Sequence, residues 1–154
     1  TMPNWDTSLV TDMSGAFLYQ TLFNGEIGNW NTSNVINMFQ TFHSAYAFNK
    51  DIGSWDVSNV VAMNEMFFEA RVFNQDIGNW NISGVTNLTS FMASKTPSTF
   101  STTNLDSIYN GWSTKTPRSS RSISFGGAKY TSASSAGRLV LTGTYLWSIT
   151  DGGI

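Results

Sequence analysis

Cysteine is missing from this 154-residue chain, which excludes disulfides, thiolate metal sites and a cysteine nucleophile. Its absence is neutral about compartment. Charge is scarce as well: acidic and basic residues together make up 12%, about half the ordinary share. The surface must therefore be built largely from Asn, Ser, Thr and Gly, a composition common in extracellular proteins. No apolar run approaches the ~18–20 residues needed to cross a bilayer, so direct membrane insertion is not expected. The opening Thr1-Met2-Pro3-Asn4-Trp5 carries neither a charged leader nor an apolar stretch. Histidine occurs once, at His43, with Leu18, Phe68 and Ala93 at the equivalent positions; such a singleton reads as a surface residue. Phosphate-loop and zinc spacings are absent. No catalytic set assembles, and the expected cofactor list is empty.

What the chain does have is a repeat. Tryptophan stands at Trp5, Trp30, Trp55 and Trp80, each 25 residues after the last, and Ser8/33/58/83, Val10/35/60/85, Phe23/48/73, Asn24/49/74, Ile27/52/77 and Gly28/53/78 keep the same step. A fixed period of this length signals units that cannot bury their apolar faces alone and stack to do so. Within one unit, Trp55 and Val57 lie two apart with a β-branched residue in every equivalent of 57, which is strand chemistry. Ser58 then precedes Val60, Met63, Phe67 and Ala70, the +3, +4, +3 stripe of an amphipathic helix with a serine N-cap. The recurrent glycines predict positive φ or close approach between units. The expected fold class is thus α/β, a leucine-rich-repeat-like solenoid with a parallel sheet and short helices, plus a small α/β C-terminal cap.

Three segments are expected: four repeats over 1–93, a polar connector over 94–104, and a capping segment over 105–154. In the last, residues 105–112 read as a short helix, 121–130 as strand, 132–147 as helix, and 147–150 as a final strand. Met2 occupies the column of Ile27, Ile52 and Ile77, which places the start inside a repeat and leads us to expect a piece of a longer protein. Charge divides unevenly, with a net of −6 over 1–92 and +4 over 93–154. Lys115, Arg118 and Arg121 lack the interleaved aromatics of a nucleic-acid patch, and no nucleic-acid partner is expected.

The run from Phe48 to Phe67, Phe-Asn-x-Asp-Ile-Gly-x-Trp-Asp-x-Ser-x-Val-x-x-Met-x-x-Met-Phe, resembles the BspA-like leucine-rich-repeat family of bacterial surface proteins. The closing Gly126 to Tyr130 and Trp147 to Gly153 resemble the segment that often ends such arrays. Asn31 and Asn81 depart from the Trp-Asp pair, and Leu88 replaces Met. The resemblance implies display on a cell surface and adhesion or host contact, with similar arrays in phage-encoded proteins; it implies no catalytic residue.

The columns divide by chemistry. Trp, Phe and Met read as core, and Asn24/49/74 as an amide ladder serving backbone groups in the turns. If side chains alternate along a strand, the residue after each Trp faces outward, giving the row Asp6, Asn31, Asp56, Asn81. Beside it run Asn4, Asn29, Ser54 and Asn79. Parallel rows of short donors and acceptors suit carbohydrate hydroxyls or a protein's polar patch. The candidate binding residues are therefore Asp6, Asn29, Asn31, Ser54, Asp56, Asn79 and Asn81; the competing reading is a merely solvated face. Glu26, Asp51 and Asp76 form an acidic row, but one carboxylate per unit is a poor calcium site, and no metal is assigned. Asn31-Thr32-Ser33, Asn81-Ile82-Ser83 and Asn87-Leu88-Thr89 fit the glycosylation sequon, the first two as by-products of the repeat. Glu65 and Glu69 read as a solvated helix face.

The function this supports is a non-enzymatic, surface-displayed binding or adhesion module, extracellular, with a cell-surface protein or glycan as partner. The alternative is a virion structural or appendage protein contacting neighbouring subunits or a receptor.

Overall fold

The computed structural model describes residues 4–154; the placement of Met2 in the isoleucine column lies outside them. Between residues 5 and 100 the chain forms no helix and no strand ladder, only successive tight turns. Consecutive units meet through isolated parallel bridges, Asp12 to Asn37, Asn37 to Ala62 and Ala62 to Asn87. Regular structure lies downstream: α1 (Thr102–Ser113), β1 (Ser122–Ser124), a 3-10 turn (Ser132–Ser134), α2 (Ser135–Leu139), a π-helical turn (Val140–Thr144) and β2 (Ser148–Thr150). β1 and β2 pair in parallel, Ile123 opposite Ile149, and make the one sheet among the described residues. The expectation of a leucine-rich-repeat-like solenoid with a parallel sheet and short helices is therefore corrected. Among the described residues the protein is a small mixed fold of two α-helices and a two-stranded sheet.

Backbone hydrogen bonding explains the missing helices. In the segment after Ser58, Met66 donates to Met63, Phe68 to Glu65 and Ala70 to Phe67, each closing a tight turn. The intervening N–H groups go to the next unit instead: Met63 to Asn87, Glu65 to Thr89, Phe67 to Phe91. A helix would need all of them for its own i−4 carbonyls. The turns also place Glu65 and Glu69 at positive φ (55° and 57°), as they do Gln40, Ser44 and Ser90, and a left-handed residue every four stops a right-handed helix. The +3, +4, +3 stripe still faces inward, with Val60, Met63, Phe67 and Ala70 buried. Glu65 and Glu69 consequently share no helix face. Trp55 to Val57 forms no strand either; Trp55 closes a turn on Ile52 and Val60 one on Val57.

Aromatic columns carry the packing. Phe17, Phe42 and Phe67 lie nearly parallel at 5.3 and 5.5 Å, and Phe23, Phe48 and Phe73 at 5.8 Å. The indole N–H of Trp55 donates to the Ile27 carbonyl (3.1 Å) and that of Trp80 to Ile52 (3.2 Å). Asn24 accepts from the Asn49 N–H and Asn49 from the Asn74 N–H, a ladder that is exposed at Asn24 and half-buried at Asn49 and Asn74. Gly28 and Gly53 have ordinary φ; a Cβ there would come within 2.6 and 2.7 Å of the Asp51 and Asp76 carbonyls. Close approach, not handedness, explains glycine in that column.

Downstream, the C-terminal segment continues these contacts with different elements. Ser101 caps α1 by accepting from Asn104, and Trp112 on that helix donates its indole N–H to the Ile77 carbonyl (3.1 Å). It thus repeats the bond of Trp55 and Trp80 without keeping their spacing. β1 bridges the fourth unit through Ile123 and Leu88. Asp151 accepts from Tyr109 (2.6 Å) and Arg138 (2.7 Å), tying the tail to α1 and α2. The expected helix over 132–147 breaks into three short pieces.

Lys95, read as part of a polar connector, is 2% exposed. Its ammonium donates to the carbonyls of Ala70, Phe73 and Arg71. Burial pulls its pKa down to about 7, while the three carbonyl oxygens favour the charged form.

Three outcomes are expected. Trp80→Phe removes one of the two donors to the Ile52 carbonyl, the Trp55 N–H being the other, and lowers stability by about 1 kcal/mol in urea unfolding; Trp80→Ala costs roughly 3–5 kcal/mol. Ser90→Gly removes a left-handed serine and raises the melting temperature, by about 1 kcal/mol in stability, whereas Ser90→Val lowers it. For Lys95, the unfolded chain keeps its proton up to about pH 10.4 and the folded chain loses it near 7. The unfolded state thus binds more protons across that window, so stability rises with pH from 7 to 9, by at most about 2 kcal/mol, and is flat below 7. Lys95→Met, measured by urea midpoints at the same pH values, lacks the rise.

Candidate binding surface

All seven residues of the expected polar rows, Asp6, Asn29, Asn31, Ser54, Asp56, Asn79 and Asn81, are exposed. Burial alternates around them, since Trp55 and Val57 are buried while Asp56 is not. The outward row therefore exists without the strand invoked to explain it. Its geometry comes from side-chain-to-backbone turns. Asp6 accepts from the Ser8 N–H and hydroxyl (3.0 and 2.6 Å), Asn31 from those of Ser33 (3.1 and 2.7 Å), and Asn81 from those of Ser83 (3.3 and 2.8 Å). Asp56 accepts from the Ser58 N–H at 2.9 Å. Serine in this column thus closes a turn and caps no helix.

One oxygen per residue is used in that turn. It fixes the side chain, and it leaves the second carboxylate oxygen of the aspartates and the amide nitrogen of the asparagines at the exposed surface. Hydrogen bonds from the Ser58 side chain and then its backbone hold Asp56 below the usual carboxylate range, and Ser8 does the same for Asp6. Both stay anionic at neutral pH. In the adjoining row Ser54 donates its hydroxyl back to the Gly28 carbonyl (3.1 Å). The rows offer fixed acceptors and amides, which suits recognition of hydroxyl-rich or amide-rich partners.

Other candidates fall elsewhere. The acidic row is spent locally: Asp51 accepts from Gly53 and Asp76 from Gly78, while Glu26 pairs with Lys50 at 2.5 Å. Among the described residues no group of three or more His, Asp or Glu side chains is placed to hold a metal ion. Arg118 and Arg121 point back at the Gly84 and Thr86 carbonyls. His43 corrects the surface reading, its side chain being 12% exposed. It packs against Tyr19 and Phe68 with Nδ1 3.2 Å from the Glu65 carboxylate, within ion-pair reach but not aligned for a hydrogen bond.

One feature escaped the sequence. Trp5, Phe17, Phe23 and Trp30, with Ala16 and Gln20, line an open apolar groove of about 340 Å³ at the end of the first unit. These belong to columns that are buried further along; Trp5 is 58% exposed where Trp80 is 1%. Column membership alone does not distinguish them. Their place at the start of the described residues does: Trp5, Phe17 and Phe23 belong to the first described unit, and Trp30 stacks on Trp5 and Phe17.

No curated protein and no solved structure matches this chain. A family profile does, across residues 1–106, which takes in the four units and the first turn of α1. On that match, the chain belongs to the family described as Mycoplasma protein of unknown function, DUF285.

Proposed function

We propose that this chain is a non-enzymatic binding module, displayed outside the cell on a surface protein of the BspA-like kind, whose ligand contacts run along the row Asp6, Asn31, Asp56, Asn81. The observation that carries the reading is the row itself: one short polar side chain per unit, exposed, and held by the same serine turn four times. Side chains locked before binding lose little entropy on contact. Many weak polar contacts, multiplied by display of several copies, give useful avidity. Asn29, Ser54 and Asn79 extend the same surface, and the sequence resemblance to bacterial surface repeats supports the location. Proteins or glycans of a cell surface are the partner class such rows suit.

The test is a binding screen of the full chain against immobilised neutral and acidic oligosaccharides and purified extracellular-matrix proteins. It is followed by the double substitution Asn31→Asp and Asn81→Asp. Aspartate keeps the oxygen that accepts from serine, so the melting temperature should hold. It removes the amide donors and sets carboxylates on every unit. Affinity for whatever the screen identifies should fall by roughly tenfold or more, about 1.4 kcal/mol. Unchanged affinity at unchanged stability removes the row from the binding site, and a screen with no ligand removes the adhesion reading.

A further inference from the structure

Three dipeptides in this chain set a side-chain carbonyl group one residue before glycine: Asn24-Gly25, Asn110-Gly111 and Asp151-Gly152. In each, the glycine nitrogen is a nucleophile that can close on the preceding side chain, since no Cβ obstructs its approach. The fold treats the three differently. Gly111 lies near the end of α1, where its N–H belongs to the helical ladder, and the Asn110 amide donates to the Ala133 carbonyl at 3.4 Å. Gly152 donates its N–H to the Ala128 carbonyl at 2.8 Å, and the Asp151 carboxylate is held by Tyr109 and Arg138.

Asn24-Gly25 is under neither restraint. Among the described residues, the Gly25 N–H and the Asn24 Nδ2 have no acceptor. This is a property of the column, not of the first unit. Asn49 and Asn74 are bonded to neighbours on both sides, yet they too leave Nδ2 and the following N–H, on Lys50 and Gln75, outside the bonding between layers. What differs is the next residue, which is lysine or glutamine there and glycine here. The bond that Asn24 does make favours reaction. Its Oδ1 accepts from the Asn49 N–H at 3.0 Å, which draws electron density from Cγ and stabilises negative charge developing on that oxygen.

We infer that Asn24 is a self-modification site, converted to aspartate and isoaspartate by its own backbone and water while the protein stays folded. The Gly25 nitrogen gives its proton to water and bonds to Cγ of Asn24; the Cγ–Nδ2 bond breaks, and ammonia leaves with a proton. A cyclic imide results. Water then opens the imide at either carbonyl, restoring the ordinary peptide link as aspartate or routing the chain through the side chain as isoaspartate. The balance is one water consumed and one ammonia released, with no change of oxidation state. Both products carry a carboxylate where an amide stood. Aspartate keeps an oxygen to accept from Asn49, whereas isoaspartate lengthens the main chain by a carbon and moves that oxygen off its partner. The protein thus gains negative charge at one position with age, and the layer bond there weakens in the isoaspartate fraction.

Incubation of the intact, folded chain in heavy-oxygen water, followed by peptide mass mapping, tests this. The label separates conversion in the folded protein from conversion during digestion. Labelled aspartate and isoaspartate should accumulate at Asn24 faster than at Asn110 by roughly tenfold or more, the factor that a helical hydrogen bond adds to the barrier. In urea the two sites should convert at comparable rates. Gly25→Gln places there the side chain that Gln75 carries in its own layer; it should keep the melting temperature and slow conversion by a similar factor. Comparable rates at the two sites in the folded chain overturn the inference, as does a gap that persists in urea or a Gly25→Gln chain that converts as fast. Label without isoaspartate excludes the imide and overturns it too. The polar row is untouched by these changes, so ligand binding reports on the proposed function separately.

Discussion

Roughly a hundred residues of this protein fold without a helix or a strand, and they do so because every second backbone N–H in the turns finds its acceptor one repeat away. A buried main chain must pair its donors and acceptors, and turns alone satisfy only half of them. Met13 to Asn37, Met38 to Ala62 and Met63 to Asn87 supply one bond of each missing half. Layers are therefore interdependent: a unit without its neighbour leaves carbonyls and N–H groups bare as well as aromatic rings. The indoles of Trp55 and Trp80 reinforce the same dependence, since each bonds a carbonyl of the unit before it.

The same requirement governs the C-terminal segment. Fourth-unit groups still need partners, and β1 supplies them, with Met92 donating to Ser124 and Ile123 bridging Leu88. Trp112 and Ser107 reach back to Ile77 and Asp76 from a helix. Lys95 does comparable work with a side chain, its ammonium collecting three carbonyls of the third unit. Different secondary structure thus answers one set of unpaired groups.

Much of the contact map was legible in the residues. The 25-residue step is the step between bonded layers; the Phe, Met and Ile columns are buried beyond the first unit, and the Trp column is buried at Trp55 and Trp80. What misled was local periodicity. Val60, Met63, Phe67 and Ala70 fit a helical stripe, yet consecutive turns bring the same positions inward, and nothing about Glu65 or Glu69 announces a positive φ. Asp56 lies outward as alternation suggested, although the turn with Ser58 holds it there and no strand does. Burial of His43 and exposure of Trp5 were illegible for a related reason: each depends on which layers lie on either side, not on the column it occupies.

The order of the layers has a mechanical consequence. The first unit and β2 lie at opposite ends of the succession of bridges, so tension between the two termini acts across the layer-to-layer bonds and opens them one after another. Few bonds bear the load at any instant, and resistance at each step is modest. Each released unit adds 25 residues of chain, about 80–90 Å when extended. A molecule held at both ends would lengthen in steps under shear, dissipating work layer by layer while the remaining units stay folded.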